Sequence, residues 1–167
     1  MTSGDYFHHC DDEKVQTTPF HYKRCGLDNI FLVNGFEEEF DEDGERYVTV
    51  LDVDDLHKAI GLHLVTCRKT LSPKEIRFLR RTMDLTQAEM GRLIDQSAQQ
   101  VARWEKGISN ISGPADRLMR VMFVSLIDEN EKSVGPMEFL TRLDELDSCD
   151  EDRLEFKKVD EEWLEAA

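Results

Sequence analysis

Gln99, Gln100 and Arg103 are the residues of this chain whose types and spacing best fit a recognition chemistry. Within SAQQVARWEKG they sit at helical spacings of three and four, so a helix gathers them on one side. Val101 and Trp104 fall on the other side. An amide bonds adenine bidentately and a guanidinium bonds guanine bidentately, so this face has the composition needed to read base edges in DNA. The competing reading is a solvated polar face. Phosphate-contact candidates surround it. Ser97 starts the same helix, and Lys106, Ser109 and Asn110 follow it. Gln87 starts the preceding helix, where the helix dipole favours an anion.

Three short helices must position these groups, and each start is written alike. Ser72-Pro73-Lys74-Glu75 is a capping box with proline at the first helical position; Thr86 to Glu89 is a second; Ser97 to Gln100 is a third, with glutamine in the acidic slot. Ile76, Leu79 and Met83 are predicted to line one face of the first helix. Met90, Leu93 and Ile94 line the second, and Val101 and Trp104 the third. Trp104 is therefore read as core rather than as a base-stacking aromatic. Gly107 stands where a left-handed residue closes the third helix.

LTQAEMGRLI, a short turn and SAQQVARWEKG resemble the helix-turn-helix of phage repressors and the wider XRE (xenobiotic-response-element) family. Trp104-Glu105-Lys106-Gly107 is similar to the family's closing motif, and Gln87 matches its glutamine at the start of the second helix. Arg80 and Glu105 occupy the places of an arginine and a glutamate that the family pairs. The resemblance implies a structural role for Arg80, Trp104 and Glu105. It also implies a DNA-binding repressor, a homodimer on a palindromic double-stranded operator with half-sites about 34 Å apart or a multiple of that.

Charge follows the same division. Of 21 basic and 36 acidic residues, net −15, residues 71–112 hold 7 basic and 5 acidic. Residues 1–70 hold 7 and 15, and residues 113–167 hold 7 and 16. The one positive segment is where phosphate contacts are needed. The acidic flanks favour a basic protein partner or simply keep the chain in solution. No apolar run approaches the ~20 residues of a membrane span. The opening residues carry no basic flank or apolar stretch, so no signal peptide is expected. The four separated cysteines are then expected to be reduced, in a cytoplasm.

The fold expected is α+β: a small N-terminal antiparallel β module with a connecting helix, then an all-α helix-turn-helix domain of about five helices. The division is residues 1–18 as a disordered start, 19–69 as the module, 70–147 as the DNA-reading domain and 148–167 as an acidic tail, disordered or helical. In the module, Phe20–Cys25, Ile30–Val33 and Arg46–Val53 read as strands. Asn34-Gly35 reads as a turn and Glu37–Glu45 as a loop or hairpin tip. A helix from Leu56 to about Cys67 is capped by Asp54 or Asp55. Residues 113–130 read as a helix apolar on more than one face (Leu118, Val121, Met122, Phe123, Leu126, Ile127), needing a second surface such as another copy or the module. Pro136–Leu146 is a further amphipathic helix.

HYKRCGLDNIFLVNGFE, a strand and DVDDLHKAIG ahead of the helix-turn-helix resemble antitoxin-type regulators related to MqsA and HigA. That likeness implies a basic toxin as partner. The MqsA type builds its module on paired CxxC zinc ligands, of which this chain keeps only Cys25 in the equivalent stretch. His8, His9, Cys10, His21 and Cys25 match no zinc spacing, and His57 and His63, six apart, share no helix face. No metal, cofactor or catalytic group is expected. A stand-alone regulator without a toxin, or an interaction adaptor on the same fold, are the rival readings.

Overall fold

Ile30 and Leu32 flank Phe31 in a period-two pattern, and the strand they form, β2 (Ile30–Leu32), has both apolar side chains fully buried. Its neighbours come from opposite ends of the chain. β1 (Phe20–His21) pairs with it antiparallel. β5 (Leu154–Val159) pairs with it in parallel, Ile30 opposite Leu154 and Leu32 opposite Phe156. β6 (Glu162–Glu165) completes a sheet of order β1-β2-β5-β6. This computed structural model of the protein describes residues 18–127, 135–146 and 152–166. The predicted disordered start, His8, His9, Cys10 and Cys149 lie outside the described residues.

The α+β class and the order of β module and helices are as expected. Residues 154–165, however, are a β-hairpin, neither disordered nor helical. Leu154 and Phe156 alternate with charged residues, and their side chains, with that of Trp163, are buried in the same core as Ile30 and Leu32. Charge density hid a strand pattern that makes sense only beside β2. The helices of residues 73–144 are therefore flanked in sequence by two parts of one sheet.

The acidic run is also corrected. Phe36–Phe40 is strand β3, paired with β4 (Arg46–Val50) from Phe36 opposite Val50 to Phe40 opposite Arg46. Only residues 41–45 form the loop, where Asp41 Oδ1 accepts from the backbone N–H groups of Asp43 and Glu45. This hairpin is a sheet of its own, so the third expected strand does not join β1 and β2. Beyond Phe36 and Val50 both of its faces are largely exposed, Phe40 to 67%. β1 stops at His21, and Tyr22 turns inward to meet His57 Nε2 at 2.9 Å. Burial pushes the Tyr22 phenol up to about 12 and lowers the His57 imidazole, so both are neutral near pH 7.

Helix α1 (Val53–Cys67) begins one turn earlier than predicted, after Asp52, which sits left-handed and makes no side-chain cap. Leu56, Ile60 and Leu64 form its buried face. Then follow α2 (Pro73–Thr82), α3 (Gln87–Leu93), α4 (Ala98–Glu105), α5 (Gly113–Ile127) and α6 (Pro136–Asp144). α1 packs on both the sheet and α5. A Cβ on Gly61 would stand 2.1 Å from Phe123 Cζ, so glycine is needed where the ring crosses the helix. Arg120, 1% exposed, fixes the same junction. Nη1 donates to the carbonyls of Val65 (3.1 Å) and Arg68 (2.6 Å), and Nη2 to that of Lys69 (3.2 Å). Asp116 holds the guanidinium from the preceding turn, 2.9 Å from Nε. A cation thus satisfies orphan carbonyls at the end of α1. Leu118 and Leu126 stay exposed on the outer side of α5.

Phe156 tests the placement of the C-terminal hairpin. Phe156→Ala should lower unfolding stability by about 3–5 kcal/mol in urea titration, the usual cost for a buried phenylalanine. A change below about 1 kcal/mol would mean that this strand lies outside the core.

Candidate nucleic-acid interface

The three helices α2, α3 and α4 are held at their starts, ends and centre. Two of the three capping boxes are complete. The Ser72 and Thr86 hydroxyls accept from the amides of Glu75 and Glu89, whose carboxylates return to the cap N–H groups. The third is half formed. Ser97 Oγ accepts from the Gln100 amide at 3.0 Å, but the Gln100 side chain turns away and donates to Ser109 Oγ at 3.0 Å. Gln100 is neutral and lacks the carboxylate that draws a side chain back to its cap. The contact ties the loop after α4 to the helix itself.

Each helix ends on a left-handed residue: Asp84 at φ 56°, Asp95 at φ 55° and Gly107 at φ 69°. After α4 the Gly107 amide reaches the Trp104 carbonyl (3.1 Å) and the Ile108 amide that of Arg103 (2.9 Å). After α2 the amides of Asp84 and Leu85 reach Arg81 and Arg80 in the same way. Between α3 and α4 the chain reverses against Gly91. The Gln96 amide donates to the Gly91 carbonyl at 2.7 Å, and a Cβ on Gly91 would lie 2.5 Å from the Gln96 carbonyl oxygen. Any side chain there displaces the backbone that delivers α4. The sequence offered one hint, a glycine inside an apolar helical pattern.

An ion pair sits at the centre. Arg80 Nε and Nη2 donate to the two oxygens of Glu105 at 2.5 and 3.1 Å, and Nη1 donates to the Leu85 carbonyl at 2.6 Å. Gln87 Nε2 also donates to Glu105, at 2.9 Å. The Glu105 side chain is 4% exposed and that of Arg80 10%. Burial alone would raise the Glu105 carboxyl. The bonds from Arg80 and Gln87 and the charges of Arg80 and Arg77 outweigh it and hold the group below its usual range. Trp104, 3% exposed, packs beneath with Val101, Met90 and Ile94. Leu93 is exposed, contrary to its predicted place in the α3 stripe. α3 ends at Leu93, and its buried face is Met90 with Gly91.

On the outer side of α4, Gln99 and Arg103 are exposed four residues apart, with Lys106 beyond them, and Asn110 is exposed in the loop. Ser97, Gln100 and Gln87 also belong to this region, each already holding an intramolecular bond. Five exposed cations of the segment, Arg77, Arg81, Arg92, Arg103 and Lys106, make no ion pair among the described residues. Lys74 is engaged by Asp28 and Arg80 by Glu105. Arg81 and Arg92 were not singled out by the sequence, because spacing alone does not say which surface arginines lack a carboxylate.

The pair carries a pH signature. A carboxyl lowered on folding stabilises the native state above its unfolded pKa, near 4.3, and that contribution vanishes as pH falls through the folded value. Glu105→Gln leaves the Arg80 guanidinium buried without its anion and should cost about 3–5 kcal/mol at pH 7. In urea titrations repeated from pH 7 to pH 3, the gap between wild type and variant should narrow towards acid. A gap independent of pH would assign the loss to packing instead.

No curated protein and no solved structure matches the chain. Residues 76–115 match the family model described as helix-turn-helix, about a quarter of the sequence. That span runs from the buried face of α2 to the start of α5 and contains the central ion pair, the Gly91 turn and the outer face of α4. By geometry and by family model, residues 76–115 form a helix-turn-helix of the kind found in DNA-binding transcriptional regulators.

Proposed function

We propose that this chain is a cytoplasmic, sequence-specific DNA-binding repressor that acts as a homodimer on a palindromic operator. The observation that carries this reading is the exposed Gln99–Arg103–Lys106 stripe on a firmly held α4, surrounded by unpaired cations in a chain of net charge −15. α4 enters the major groove. Arg103 bonds a guanine and Gln99 an adenine, while Lys106, Asn110 and Ser109 meet the backbone. Gln100 and Ser97 set the base of that surface. Gln87 reaches a phosphate through the second N–H of the amide that holds Glu105. For the homodimer, Leu118 and Leu126, 42% and 57% exposed, line an outer stripe of α5 that the β module leaves uncovered.

Arg103→Ala should weaken operator binding by about 1–3 kcal/mol and relax preference at one base pair per half-site, read by fluorescence anisotropy on single-base operator variants. Equal loss on every duplex would reduce Arg103 to a phosphate contact. Binding that ignores the substitution would remove α4 from the interface.

A second reading is that the repressor is also the antitoxin of a toxin–antitoxin pair, silencing its own operon. The exposed acidic hairpin β3–β4 and the acidic surfaces outside residues 71–112 support it, since they suit a basic toxin. The neighbouring reading frame decides. Its product, if small and basic, should co-purify with this chain stoichiometrically and dissociate as salt rises; no binding leaves a stand-alone regulator.

A further inference from the structure

β6 is an edge of the four-stranded sheet among the described residues. Its hydrogen-bonding parity follows from the contact of the Ala166 amide with the Glu155 carbonyl at 2.7 Å, with Phe156 opposite Glu165. Glu162 and Leu164 therefore direct their backbone groups at β5. Trp163 and Glu165 direct theirs outward, where an added strand would take them. Beside this edge lies an open cleft of about 650 Å³ whose other wall is the outer side of α1. Asp55, Ala59, Leu62 and Thr66 recur along that wall at helical spacing. The wall runs for about 16 Å, the reach of about five extended residues.

Geometry of this kind, an open strand edge beside a helix with an apolar strip between, accepts an extended peptide by strand addition. Leu62, 37% exposed, supplies the apolar contact with Ala59 and Ile127. The rim selects the occupant. Asp55, Glu161, Glu162 and Glu165 line it. Lys58, its one lysine among the described residues, pairs with Asp55 at 3.5 Å, and His63 Nδ1 meets Glu165 Oε2 at 2.9 Å, which leaves Glu161 and Glu162 as the carboxylates open to a cation. Two such edges repel each other through Glu162 and Glu165, so edge-to-edge pairing with a second copy is disfavoured. We propose that the groove between α1 and β6 receives an extended basic segment of a partner protein, with apolar side chains at alternate positions, as a fifth strand. This deepens the partner reading above and rests on it only for the sign of the partner's charge.

The test uses the full chain and a blocked, fluorescein-labelled hexapeptide alternating lysine and leucine, with anisotropy as readout. Two further peptides carry N-methyl groups on the odd or the even residues, which keeps charge and apolarity but removes one row of strand donors. One of these two should bind at least tenfold more weakly than the parent. Leu62→Lys should weaken the parent at least tenfold, and Glu162→Lys about threefold or more. The Glu37→Gln/Glu38→Gln/Glu39→Gln variant of the β3–β4 hairpin should bind it as wild type does. Circular dichroism confirms that each variant is folded. Equal binding of all three peptides, indifference to both groove substitutions, or no binding of the parent overturns the groove. Loss only in the hairpin variant also overturns it, while leaving an acidic partner-binding module in place. A neighbouring frame without a basic product removes the toxin but does not touch the peptide result.

Discussion

The bidentate contact between Arg80 and Glu105 is the constraint on which the geometry of the helix-turn-helix depends. It joins the last turn of α2 to the last residue of α4, while Gln87 brings the start of α3 to the same carboxylate and Leu85 accepts from the same guanidinium. A buried pair of this sort contributes little net stability, because desolvation offsets most of the attraction. What it does is tie the three helices together: the arrangement that satisfies these donors also presents Gln99 and Arg103 outward. Trp104 provides the apolar weight beneath, and Gly91 provides room for the turn.

The helical segment is not an appendage. The sheet that precedes it in sequence is finished by the hairpin that follows it, and Arg120 clasps the end of α1 from within α5. Charge is sorted across the same body. Five cations without ion pairs among the described residues, Arg77, Arg81, Arg92, Arg103 and Lys106, lie on the helix-turn-helix, whereas the β3–β4 hairpin and the rim of the α1–β6 groove are acidic. Such a distribution would draw a duplex to the basic surface and repel it from the acidic ones.

Much of this was legible in the sequence because it is local. Capping boxes depend on residues three apart, and an amphipathic stripe on residues three and four apart, so α2, α3 and α4 could be placed with Val101 and Trp104 turned inward. The Arg80–Glu105 contact is not local; it was reached only through the resemblance. The ends of α2 and α3 were silent, since Asp84 and Asp95 take left-handed conformations that glycine would have advertised. The C-terminal hairpin was misjudged because the pairing of Leu154 with Ile30 spans the whole helical region. Arg120 was missed for the same reason: its carbonyl partners lie more than fifty residues earlier.

The central claim is that the outer face of α4 meets DNA. The most direct measurement is an amide chemical-shift titration of the full chain with a duplex from its own upstream region. The account predicts that the large shifts fall within residues 87–110 and fade as salt is raised, with the β3–β4 hairpin and β6 unmoved. Large shifts confined to the acidic elements, or a spectrum unchanged at saturating duplex, would contradict it.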